Sequence, residues 1–137
     1  MTTESVSVLI FDKNLKDFGV LANTGFVLGL TAGRLMGDDT FGPDVFDGDG
    51  EQHLYLTRIG HIVRKAGQSK LRSLRAHFAA LDGVSVIDYT EDAAPSSYSA
   101  YEEALGSHSG EEIVYRAIHL FGPFELIAPQ TKNLSKL

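Results

Sequence analysis

Apolar and polar positions alternate in blocks along the chain. The first block, Val6-Ser7-Val8-Leu9-Ile10-Phe11, is β-rich and almost wholly apolar. A short run of this kind predicts a strand covered on both faces. The polar stretch Asp12 to Asp17 predicts a loop, and helical patterning then runs from Gly19 to about Met36. Gly25, Gly29, Gly33 and Gly37 recur every fourth residue there, so they share one helix face. Each interior glycine costs roughly 1 kcal/mol relative to alanine. Close backbone packing against a sheet or another helix is the expected offset. A smooth wall lining a cleft is the alternative.

Gly37 to Gly50 is rich in Asp and Gly and predicts a loop, with Asp47-Gly48-Asp49-Gly50 as a turn. The acidic spacing does not fit a calcium loop. Leu54 to Val63 predicts one or two short strands, with Gly60 as a bulge. Ser69 to Leu81 is the clearest amphipathic helix: Leu71, Leu74, Phe78 and Leu81 form its apolar stripe, and Lys70, Arg72 and Arg75 point elsewhere. Val84 to Thr90 reads as a strand, Glu91 to Ser97 as a loop containing Pro95, and Ser99 to Leu105 as a short helix. Ile113 to Phe121 is the last clear strand, and Phe124 to Leu137 reads as a short helix or turn packed back on the core. Strands alternating with helices predict an α/β sheet that is at least partly parallel.

The 137 residues fit a single domain spanning 1–137. With 43% apolar and 22% charged residues, a real core is expected. The chain has no cysteine, which excludes disulfides, zinc-thiolate sites and thiol nucleophiles. The polar, acidic start does not read as a secretory signal. Val20 to Met36 is the most apolar stretch, but Asn23, Thr24, Thr31 and Arg34 interrupt it. It is read as a buried helix, with no membrane partner and a cytoplasmic location. Lys and Arg number 12 against 18 Asp and Glu, a net charge of -6. This argues against general nucleic-acid binding. A basic cluster, Arg64, Lys65, Lys70, Arg72 and Arg75, leaves a local anion site open, although solvation of a surface helix is its simpler reading.

The chain has no nucleophile elbow, phosphate loop or dinucleotide fingerprint. His53, His61, His77, His108 and His119 lack metal-site spacing, so no metal or cofactor is expected. His53 and His61 could meet across a strand pair, but an exposed or core role is preferred. His119 reads as a satisfied core histidine. In α/β sheets, ligands favour the crevice beyond the carboxyl ends of strands. Asp12, Lys13, Asp88 and Tyr89 fall at such ends, and Asn23 lies in the first turns of the first helix, where anions are favoured. The candidate catalytic set is therefore Asn23 as a donor, Lys13 as a cation and Asp88 orienting water. The simpler alternative has Asp12 and Asp88 as loop caps and Lys13 as solvated surface.

Several of these signals recur in one order: Asp12-Lys13-Asn14-Leu15 after the first strand, Leu21-Ala22-Asn23 and Gly29 in the helix, Val86-Ile87-Asp88-Tyr89-Thr90, then Gly122-Pro123 and Thr131-Lys132-Asn133-Leu134-Ser135-Lys136-Leu137. In that order the chain resembles domain-of-unknown-function family 2000, uncharacterised bacterial proteins with a peptidyl-tRNA hydrolase II-like fold. The resemblance covers nearly the whole chain. It implies an α/β three-layer sandwich, with a mixed sheet of about four strands and helices on both faces. In peptidyl-tRNA hydrolases of this type a Gly-Lys pair leads into the first helix, whereas here Val20 follows Gly19. Asn23 lies near that family's Gln and Cys positions. Asp88 or Asp92-Ala93 falls at the acidic site, and Thr131-Lys132-Asn133 replaces Thr-Gly-His. By this resemblance Asp92 and Asn133 join Asp12 and Tyr89 as candidate binding residues. The missing lysine removes the natural anchor for an RNA phosphate or a developing oxyanion. The expected function is binding of an unknown small ligand or substrate in a cleft after the first strand. The alternatives are a peptidyl-tRNA hydrolase or related RNA-directed hydrolase, and a non-enzymatic homodimeric module.

Overall fold

The computed structural model describes residues 4–93 and 97–137. The first block forms strand β1 (Ser5–Asp12). Its alternation sends Val6, Val8 and Ile10 to one face, and Ser7, Leu9 and Phe11 to the other. Helix α1 (Phe18–Met36) follows, capped by the Asp17 carboxylate, which accepts from the Val20 N–H. It stops at Gly37, whose φ of 78° favours glycine. The segment 37–59 holds a two-stranded hairpin, β2 (Val45–Phe46) and β3 (Gln52–His53). Strand β4 (Gly60–Ala66) leads into α2 (Gln68–Ala79), and β5 (Ser85–Thr90) and α3 (Tyr98–Gly106) come next. The chain then forms β6 (Tyr115–Pro123), α4 (Phe124–Thr131) and β7 (Ser135–Lys136).

The main sheet is mixed and five-stranded, in the order β5-β6-β1-β4-β7. β1 runs parallel to β4 and antiparallel to β6, and β5 and β7 are antiparallel to their neighbours. Helices cover both faces. On one face Leu71, Leu74 and Phe78 of α2 and Ile127 of α4 pack against Val6, Val8, Ile10, Ile118 and Leu120. On the other, Leu28 of α1 packs with Phe11, Tyr89 and Ala117. Fully burying each such side chain contributes roughly 1.5–3 kcal/mol. The basic cluster on α2 does more than meet solvent. Arg72 donates to the Ile113 carbonyl, Arg75 donates to Asp88, and both guanidinium groups lie over the Tyr115 ring.

The expected α/β architecture with helices on both faces is present, with several corrections. The main sheet has five strands rather than about four, because a two-residue strand, β7, extends it where a turn was expected. The fourth strand begins at Gly60, which pairs in register with Val6 and is not a bulge. Leu54 and Leu56 imitate a strand in sequence but are 71% and 81% exposed in an irregular stretch. His53 and His61 do not meet: His53 bonds Asp47 and His61 bonds Thr57. The helix read as buried is only partly so. Thr24, Leu28 and Ala32 face the sheet, whereas Phe26 is 70% exposed. By length and composition alone this helix could cross a membrane. The loop expected at 91–97 opens as a 3-10 turn over Glu91–Ala93, and Pro95 lies outside the described residues.

Candidate functional site

β1, β4 and β5 run in one direction, so their carboxyl ends share one edge of the sheet. At the β5 side of that edge, α1, β5 and α3 surround an open cleft of about 720 Å³. Asn23, Asp88 and Tyr89 all line it, with Val27, Tyr98 and Tyr101 among its apolar and aromatic walls. The Tyr89 hydroxyl donates to Asn23 Oδ1 at 3.2 Å. Among the described residues the Asn23 amide nitrogen has no hydrogen-bond partner, and it is a donor at the cleft wall. Asp88 accepts from Arg75 Nε at 2.8 Å, and its side chain is 18% exposed. The hydrogen bond to Asp88 holds the Arg75 guanidinium above its ordinary range. Burial pushes the Tyr101 phenol up, with Asp88 adding to the effect. The cleft thus presents an amide donor and phenol edges between apolar and aromatic walls, while the Asp88 carboxylate is turned to Arg75 on the α2 side.

The other candidates lie elsewhere. The Lys13 side chain reaches over Gly67 at the junction of β4 and α2, and its backbone N–H bonds the Ala66 carbonyl. It is absent from the cleft lining, so the proposed set of Asn23, Lys13 and Asp88 does not assemble around one cavity. Asp12 accepts from the Asn14 N–H as a loop cap. Asp92 bonds His108 Nδ1 at 3.2 Å, in the turn whose Ala93 reaches the cleft. Asn133 is exposed between α4 and β7, away from the cleft. Arg75 was assigned to a solvated face, yet it supplies the positive charge beside Asp88. Tyr98 and Tyr101 were also missed, since a short helix with two tyrosines carries no chemical signature until its partner surface is known. Among the described residues no cluster of metal-ligating side chains occurs.

A family model described as protein of unknown function, DUF2000, matches residues 7–137. The chain belongs to the DUF2000 family. No curated protein matches this DUF2000 chain. Among solved structures it is similar to a protein of unknown function from Agrobacterium tumefaciens strain C58, with a TM-score of 0.81 at 17% identity. That alignment covers 99% of each chain. At this identity the likeness gives the fold of the DUF2000 chain and nothing of its chemistry.

Proposed function

We propose that this DUF2000 chain is a small-ligand-binding protein on a peptidyl-tRNA hydrolase II-like scaffold, with its ligand between α1, β5 and α3. The observation that carries the reading is the meeting of Asn23 and Tyr89 in one aromatic-walled cleft. A concave site that sets a few polar groups among apolar and aromatic walls is the usual form of a small-molecule site. Among the described residues, the lining includes Asp88 and neither lysine nor arginine. With Asp88 paired to Arg75 on the α2 side, the cleft suits a neutral ligand with a flat apolar part and one hydrogen-bond acceptor for Asn23. A polyanion such as tRNA fits these walls poorly.

The test is a thermal-shift and calorimetric series with benzamide, benzamidine and benzoate. The neutral benzamide should bind more tightly than either benzamidine or benzoate, and be weakened at least tenfold in Asn23→Ala. Benzamide binding unchanged in Asn23→Ala would refute the placement, as would benzamidine or benzoate binding best.

A further inference from the structure

α1 has a cavity on each flank. The second, of about 220 Å³, lies between the glycine-bearing face of α1, strands β1 and β4, and the segment carrying Phe41 and Thr57. Close packing does not require its glycines. A Cβ added at Gly29 meets nothing within 4 Å, the nearest atom to one at Gly33 is in the Phe41 ring at 3.9 Å, and one at Gly25 makes ordinary 3.7 Å contacts. Alanine would fit all three positions, so the missing side chains leave space rather than a close approach.

A chain of polar side chains also lines that cavity. Ser7 Oγ and His119 Nε2 are 2.6 Å apart, and both residues are buried, His119 to 5% exposure. His61 faces Ser7 across the parallel pair β1–β4 and bonds the Thr57 hydroxyl. All four residues line the cavity, whose remaining walls are apolar and whose lining among the described residues includes no acidic residue, lysine or arginine. Burial, with His61 second, holds His119 down to about 4, so its imidazole is neutral near pH 7. Each hydroxyl and each imidazole can make hydrogen bonds beyond those formed here.

We propose that this second cavity binds a small neutral molecule with an apolar body and a single hydroxyl or carbonyl group, the body lying on the glycine face of α1 and the polar group on Ser7, His119, His61 or Thr57. An apolar cavity of about 150 Å³ holds benzene, so 220 Å³ suits a ring with one or two small substituents. The site is separate from the Asn23 cleft. Ser7 sits within a central strand under full cover and is a binding group here rather than a nucleophile.

The test uses p-cresol and toluene as probes, read by calorimetry and by the NMR ring signals of His61 and His119. Wild type and Gly29→Ala should bind p-cresol more tightly than toluene, with the histidine signals moving. Gly29→Phe fills the cavity and should weaken p-cresol at least tenfold while keeping the fold, with Gly29→Leu as a second blocking variant. Thr57→Val should narrow the preference for p-cresol over toluene. Asn23→Ala should leave p-cresol binding unchanged, which separates this site from the first. Unmoved histidine signals in wild type, no binding up to the solubility limit, or full p-cresol binding by both blocking variants would overturn the proposal.

Discussion

Burial of the His119 imidazole makes the stability of the wild type depend on pH, and replacing it by glutamine should remove that dependence. In the folded chain His119 is held at about 4, against an ordinary value of 6.5, by burial first and His61 second. The unfolded chain therefore binds a proton between those two values that the folded chain refuses. Below pH 6.5 protonation favours unfolding, so the stabilising effect of the neutral form is complete above 6.5 and is lost as pH falls toward 4. The whole gap corresponds to about 3 kcal/mol, of which about 2 kcal/mol falls between pH 7 and pH 5. With a urea slope of about 2 kcal/mol/M for a domain of this size, the unfolding midpoint should drop by about 1 M over that interval. The other lowered groups act outside this window. Asp47 is lowered from 3.8, chiefly by His53, and Glu112 from 4.5, chiefly by the Ser109 backbone. Urea titrations of wild type and His119→Gln at both pH values isolate the contribution, because other titrations cancel in the difference between the two proteins. An equal change in stability from pH 7 to pH 5 in both would refute the reasoning.

Gly122→Ala should cost about 2 kcal/mol, because the new Cβ would lie 2.9 Å from the Gly83 carbonyl oxygen and 3.2 Å from Val84 Cα. Urea denaturation reads this directly, and an unchanged midpoint would show that the turn before β5 yields at no cost. Arg75→Met removes the guanidinium that lies over the Tyr115 ring and leaves Asp88 without its partner. Discounted for the partial exposure of the pair, the expected loss is about 1 kcal/mol. It is measurable as a melting temperature a few degrees lower, and an unchanged melting temperature would contradict it.

The elements legible in the sequence were those that carry their own period. β1 shows as an unbroken apolar run, α1 as a glycine period and α2 as an apolar stripe, and the caps of α1 fall at Asp17 and Gly37 as such residues should. Two-residue strands have no period to read. β2, β3 and β7 exist only because a partner lies beside them. Leu54 and Leu56 misled for the opposite reason: their spacing suggests a sheet face, but no sheet covers them.

The same distinction runs through the candidate sites. Asn23, Asp88 and Tyr89 lie near the ends of elements whose order was inferable, and they share a cleft. The side chain of Lys13 was drawn off toward Gly67 by a crossover that places β4 beside β1. Ser7 and His119 are 112 positions apart and meet only through the antiparallel register of β1 and β6. The glycine period was visible from the start, but whether it marked contact or space depended on what stood opposite.

The position of β1 has a consequence for how the molecule is made. It lies at the centre of the sheet, yet it is the earliest strand in the described chain and its antiparallel partner β6 ends at Pro123. At roughly 5–20 residues per second of synthesis, β1 waits on the order of 5–20 s for that neighbour. Meanwhile Val6, Val8, Ile10 and Phe11 have only β4 and the intervening helices to shelter them. Closure depends on contacts distant in sequence, which slows folding and prolongs exposure of a sticky edge. The burden on cellular folding assistance therefore falls on the interval before the last strand of the centre emerges.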